Sequence, residues 1–187
     1  NVHHKADLIE RHLVGRTRPA ITISDERGLL LETGGGIRKA LPLLGPAPFV
    51  VHNSDSVWRE TTGSNMARLL AAWDGDRMDC LLMLAPVAAC IGYAGKGDFW
   101  LDAEGRIRRR AKEETAPLVF MGVHIVHPRL YAGTPDGAFS QNLVWNTALD
   151  SGRAYGVLME GLWMHVGTPE ALGEAEVAMS AAAVPHV

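Results

Sequence analysis

Two periods of apolar residues alternate along this chain. Near the start, Leu8, Ile9, His12 and Leu13 share one face at helical spacing and Gly15 follows them, which predicts a helix over His3–Leu13. Ala20–Ser24 (AITIS) reads as a short strand, and residues 25–33 as a turn and an extended segment. GGIRKALPLLG reads as a helix stopped by Gly45 and made short or kinked by Pro42. Phe49–Asp55 (FVVHNSD) is a mostly apolar strand that ends in polar residues, as a buried parallel strand does at its functional edge. Asn65–Trp73 is a helix and Asp79–Leu84 a buried strand. DFWLD and RIRRR, joined by Ala103-Glu104-Gly105, form a hairpin pattern. Leu118–Val126 is a long strand closed by His127-Pro128, and Ser140–Ser151 a helix with Gly152 after it. AYGVLM and LWMHV are strands around Gly161. The last helix takes Thr168 as N-cap and Pro169 as its first residue, and the tail 181–187 is expected to fray. Helices between buried strands predict an α/β protein, a three-layer α/β/α sandwich on a mixed, mostly parallel sheet.

The chain has 187 residues, 47% of them hydrophobic and 21% charged. That suits one globular domain over 1–187, able to bury roughly 70% of the surface of the unfolded chain, and excludes a disordered chain. Lys and Arg number 18 against 21 Asp and Glu, a net charge of −3, which argues against a partner that is nucleic acid or an anionic membrane. The longest apolar stretch, Cys80–Ile91, is about half of a bilayer span and contains Pro86. The polar, His-rich start does not read as a signal peptide. Cys80 and Cys90 fit neither a CxxC nor a zinc pattern and read as reduced, buried thiols of a cytoplasmic protein.

Several residues are candidates for chemistry. In Glu32-Thr33-Gly34-Gly35-Gly36, ahead of a helix, the glycines admit close approach of a flat ligand or a phosphate, and the helix start offers N–H groups; a glycine-rich turn that caps the helix fits equally well. Asp55, at the end of Asn53-Ser54-Asp55, is placed to hold a hard cation such as Mg²⁺ through one carboxylate, or to close an Asx-turn. His165 in WMHVGTP is placed to orient phosphate or ligate a metal, although a structural histidine is the more frequent case. Gly97-Asp98-Phe99 reads as a sugar-contacting turn or as a loop before a strand. Arg108, Arg109, Arg110 and Lys112 read as a solvated strand edge, or as an attractor of anionic substrate. His3, His4, His124 and His127 lack zinc-ligand spacing and read as structural. Neither GxGxxG nor GxxxxGK[ST] occurs.

LETGGGIRKALPLLG, FVVHNSD and WMHVGTPEALGEAE together resemble the sugar-phosphate nucleotidyltransferases. Within that family the chain looks like the branch of N-acetylmuramate-1-phosphate uridylyltransferases and mannose-1-phosphate guanylyltransferase-like proteins. The likeness covers nearly all residues, including NVHHKADLIERHL, the segment Gly97–Phe99 and FMGVHIVHPRLY. It implies a Rossmann-like fold, Mg²⁺ as cofactor, and an enzyme joining a nucleoside triphosphate, UTP favoured, to a sugar-1-phosphate to make a nucleotide-sugar for the cell envelope, with release of pyrophosphate. By resemblance, Asp55 binds Mg²⁺, Asn53 contacts the nucleotide, and Glu32, Thr33, Gly34 and Gly35 line the base and ribose pocket. Gly97 and Asp98 lie near the sugar, and Gly122 lets the sugar approach the sheet. Two departures stand out. The family's first strand, its GxGTR-like loop and its PKP lysine have no counterpart in these residues, so the chain is expected to be part of a longer protein and to be unstable or inactive alone. The family's second metal-binding Asp, in a WxDVGT block, is His165 here, for which a water-mediated or phosphate contact is expected. The alternative is a pseudoenzyme that binds nucleotide or sugar phosphate without turnover.

Overall fold

The computed structural model of the chain describes residues 1–181, which fall into two units. One unit comprises Asn1–Phe49 and His127–Ala148; the other comprises Val50–Val126 and the described part of Leu149–Val187. The frayed tail expected from residue 181 onward lies, from 182, outside the described residues.

The first unit is helical. Helix α1 spans Ala6–Leu13. It starts later than the periodicity predicts because Lys5 is left-handed, with φ 52°, and cannot continue a right-handed helix toward His3. The expected strand Ala20–Ser24 does not form. A strand exists only through a partner, and this region offers a single bridge, Val2 to Asp25. Helix α2 spans Glu32–Leu44, so the glycines expected to precede it are its first turns. The N–H groups of Gly34 and Gly35 both donate to the Phe139 carbonyl, at 2.8 and 3.1 Å. A Cβ on Gly34 would lie 2.5 Å from the Phe139 ring. Glycine is thus demanded by packing against residues 137–139. Pro42 does not shorten α2, because in the last turn it removes one hydrogen bond rather than a run of them. Gly45, at φ 81°, ends the helix.

The second unit holds the sheets. In chain order its elements are β1 (Phe49–His52, in this unit from Val50), β2 (Ser56–Arg59), α3 (Asn65–Ala72), β3 (Cys80–Pro86), β4 (Cys90–Ile91), β5 (Phe99–Leu101), β6 (Ile107–Arg109) and β7 (Leu118–Val126). After α4 (Asn142–Asp150), which straddles the two units, come β8 (Ala154–Leu158), β9 (Leu162–His165) and α5 (Pro169–Ala181). One sheet runs β6-β5-β7-β3-β8, with β1 also paired to β7; a second runs β2-β9-β4. The α/β character and the mixed sheet are as expected, but the sheet is not mostly parallel. β3 is parallel to β8 and antiparallel to β7, and both β5–β6 and β5–β7 are antiparallel. No α-helix lies between β3 and β7, and without a crossover helix the chain returns antiparallel.

Alternate residues of β3 and β7 face one core: Leu81, Met83, Val119, Met121 and Ile125 pack with Leu69 of α3. Ser64 caps α3 by accepting from the Ala67 N–H. The start of β3 is tied to the start of β8 by the Arg153–Asp79 ion pair at 2.9 Å. β7 is buried on both faces. His124, on the face opposite the cluster, is 1% exposed, and burial pushes its imidazole down to about 3.

Two outcomes follow. Leu69 is fully buried whereas Leu70 beside it is 57% exposed. Leu69→Ala should cost about 2–5 kcal/mol in urea unfolding, and Leu70→Ala less than about 0.5 kcal/mol. His124 is neutral when folded but gains a proton on unfolding below its ordinary value of 6.5. Stability should therefore fall as pH drops from 6.5 toward 3, by about 1.4 kcal/mol per unit from this group. Urea midpoints at pH 7 and 5 for wild type and His124→Gln check it: the variant should lose less stability between the two pH values.

Candidate active site

The second unit contains a cavity of about 160 Å³. Its polar groups come from Asn53, Asp55, Asp98 and His165, and Gly122 forms part of its floor. Val119, Phe120, Tyr93 and Trp163 supply apolar wall, and Ser56 completes it.

Each polar group is set by the backbone that carries it. β1 ends at His52, so the expected strand to Asp55 is instead a strand and a turn. The turn is closed by the Ser56 N–H donating to the Asn53 carbonyl at 3.3 Å, and the Asn53 N–H donates to Gly122 O at 2.8 Å. No Asx-turn is seen here: among the described residues, the Asn53 and Asp55 carbonyl and carboxylate side chains accept no bond from the turn's backbone. Asp55 is thus the last residue of the turn, directly before β2. Its register against β9 pairs Ser56 with His165 and brings Asp55 beside the imidazole, Oδ2 to Nδ1 being 3.8 Å. The Val166 N–H donates to Asp55 O at 2.8 Å and locks that junction.

Gly122 has φ 88°, and a Cβ there would lie 2.8 Å from Ser56 Cβ and 3.2 Å from Asn53 Cβ. Glycine is needed for both conformation and space. Gly97, at φ 74°, likewise presses on the Ala116 carbonyl. That turn aims Asp98 into the cavity, where its Oδ2 accepts the Phe120 N–H at 3.0 Å. The Trp163 indole N–H donates to Ser56 Oγ at 2.9 Å, and that hydroxyl donates to Met121 O. The rings of Trp163 and His165 stack at 6.0 Å and 20°.

The structure thus brings Asn53, Asp55, Asp98, Gly122 and His165 to one cavity, with Gly97 as the hinge of Asp98. Glu32, Thr33, Gly34 and Gly35 lie in the first unit at the start of α2: Glu32 and Thr33 are exposed, the two glycines buried, and the Gln141 N–H donates to Thr33 Oγ1 at 2.9 Å. The N–H groups expected to be free at this helix start are taken at Gly34 and Gly35 by Phe139. The basic run stays out of the cavity. Arg108 forms a two-pronged pair with Glu114, Arg109 lies over Phe99, and Arg110 donates to the Gly97 carbonyl at 2.6 Å. Sequence reasoning missed Ser56, Tyr93 and Trp163. Their neighbours Asp55, Gly97 and His165 were the available signal.

No family model matches the chain. It is 48% identical over 186 residues to the N-acetylmuramate alpha-1-phosphate uridylyltransferase of Caulobacter vibrioides, covering 97% of this chain and 77% of the relative. This chain belongs to the sugar-phosphate nucleotidyltransferase family. A protein of the same name from Neisseria meningitidis serogroup B is 31% identical over 157 residues, covering 83% of this chain and 65% of that one. The solved structure of HddC from Yersinia pseudotuberculosis, complexed with GMP-PN, matches with a TM-score of 0.68 at 18% identity over 95% of this chain and 76% of its own. That likeness shows the fold, Rossmann-like α/β, as the resemblance implied.

For a nucleotidyltransferase, the donor set of the cavity has to fit a divalent ion. Among the described residues no group of three or more His, Cys, Asp or Glu side chains is close enough to hold one. Asp55 is a half-exposed carboxylate whose one neighbouring ion-pair partner among the described residues is His165. That fits Mg²⁺, which binds through one or two carboxylates and takes its remaining oxygens from phosphate and water. Burial, and secondarily the charge of Asp98, push the Tyr93 phenol above its ordinary value, so it enters the cavity as a neutral donor.

The Trp163–Ser56–Met121 chain predicts a further outcome. Ser56→Ala leaves a buried indole N–H without its acceptor and should cost about 1–3 kcal/mol in urea unfolding. Adding Trp163→Phe should then cost less than it does in wild type, because the two side chains share that bond.

Proposed function

We propose that the protein transfers a nucleotidyl group, uridylyl favoured, from a nucleoside triphosphate to a sugar-1-phosphate. A phosphate oxygen of the sugar-1-phosphate forms the new bond to the α-phosphorus. The bond from that phosphorus to the bridging oxygen of the β-phosphate breaks, and pyrophosphate leaves. The observation that carries this reading is the 48% identity to a named uridylyltransferase over 97% of the chain, and Asp55 and Asp98 lining one cavity support it.

In this reading Asp55 holds Mg²⁺, and the ion, when bound, supplies charge neutralisation on the phosphates. Asn53 contacts the nucleotide, and for Glu32, Thr33, Gly34 and Gly35 of the first unit a part in base and ribose binding is what the family resemblance implies. Asp98 accepts from sugar hydroxyls, Gly97 sets its direction, and Gly122 leaves room for the ring. His165, 3.8 Å from Asp55, contacts phosphate directly or through water. Catalysis of this kind is positioning and electrostatics, so these groups contribute through their geometry and charge. A cytoplasmic place and a product destined for the cell envelope belong to the same proposal. No helix among the described residues is long and apolar enough to cross a membrane.

The second reading, a binding module without turnover, draws on the lone carboxylate at the phosphate end, where the family's second Asp is His165. One assay separates the two. Pyrophosphate release by the full-length protein should appear for one pairing of nucleotide and sugar-1-phosphate with Mg²⁺. Asp55→Asn should reduce it about a hundredfold or more, and His165→Ala should change turnover or Mg²⁺ dependence. Silence over UTP, GTP, CTP, TTP and ATP with several sugar-1-phosphates, while nucleotide still binds, would establish the binding module instead.

A further inference from the structure

We infer that Tyr93 is a specificity-determining residue of this cavity: its phenol and the Asp98 carboxylate together read a hydroxyl-bearing edge of the sugar. The inference rests on the nucleotidyltransferase reading and deepens it.

Tyr93 lies in the connection after β4, in the segment IGYAGKGDF, and three contacts hold it. Its ring packs against Trp163 at 5.9 Å and 48°. Its hydroxyl accepts the Gly97 N–H at 3.0 Å. The backbone at Gly95 passes so close that a Cβ there would lie 2.5 Å from Tyr93 Cζ. The phenol is therefore oriented before any ligand arrives.

Accepting from Gly97 uses one lone pair and leaves the phenol's proton to be given away. Among the described residues no protein acceptor takes it. Asp98, which also lines the cavity, accepts the Phe120 N–H with one oxygen, and among the described residues no donor takes its other oxygen. One donor and one acceptor, both fixed by the same turn at Gly97, match a sugar hydroxyl, which accepts from the phenol while donating to the carboxylate. A pair of adjacent hydroxyls would serve as well.

The walls agree with such a ligand. Trp163, Val119 and Phe120 offer apolar surface to the C–H groups of a ring, and Ser56 Oγ is already occupied by Trp163 and Met121. The cavity is lined by two carboxylates, Asp55 and Asp98, and by no Lys or Arg. Beside the Asp98 carboxylate an anionic substituent would be repelled, so the edge of the sugar that faces Tyr93 and Asp98 is a neutral, hydroxylated one.

The test is steady-state kinetics on the full-length protein with the sugar-1-phosphate found active above and its monodeoxy analogues. Tyr93→Phe keeps the ring on Trp163 and removes the hydroxyl. It should raise KM for the sugar-1-phosphate about fivefold to tenfold, leaving kcat and KM for the nucleotide within about twofold. Wild type should lose a similar factor with one particular monodeoxy analogue, and Tyr93→Phe should lose nothing further with that analogue. If the variant discriminates the monodeoxy series as wild type does, or if kcat or the nucleotide KM moves instead, Tyr93 is not a sugar reader and the assignment falls while the transferase reading stands. Wild-type silence with every sugar-1-phosphate overturns both.

Discussion

The antiparallel pairing of β3 with β7 is the contact from which the candidate site hangs. Both strands are buried, and their alternate residues build the core with Leu69 of α3. Such a strand leaves no place for a ligand unless one residue gives up its side chain. Gly122 does so, in the middle of β7, with a backbone angle that favours glycine and with the turn of Asn53 and Ser56 lying directly over it. The same few ångströms thus serve packing and binding. The Asn53 N–H bonded to the Gly122 carbonyl couples the two.

Around that point the site is assembled from short connections. The turn after β1 delivers Asp55, the end of β9 delivers His165, and the turn at Gly97 delivers Asp98. None of these side chains depends on a long flexible arm: His165 is the last residue of β9, and Asp55 and Asp98 each directly precede a strand. That suits a reaction in which the protein acts by position and charge rather than by covalent participation. In the proposed reading, His165 beside Asp55, where the resembled family has a second carboxylate, lowers the negative charge facing the phosphates, and Asp55 is then the hard-ion ligand at that end, with the ion's other oxygens coming from substrate and water.

Much of the fold was legible because it rests on period and punctuation. β7 runs over the residues its apolar run predicts, and the β5–β6 hairpin follows its turn. α5 begins at Pro169 behind Thr168, whose hydroxyl accepts the Ala171 N–H. The misreadings share one cause. Ala20–Ser24 has strand composition and no partner; β2 and β4 are strands only because β9 lies between them. The glycines of α2 look like a loop from their propensity, yet they are helical because Phe139 and Gly137 press against them.

By itself the sequence determined the types of the strongly patterned elements, the family likeness and the reactive residue types Asp55, Asp98 and His165, since these follow from local pattern and side-chain chemistry. The tertiary structure alone decided which strands pair and in which direction, because pairing depends on residues distant along the chain. It also decided that Tyr93, Ser56 and Trp163 belong to the cavity. Their places come from the β2–β9 register and the close passage of Gly95 and Gly97, contacts no local pattern encodes.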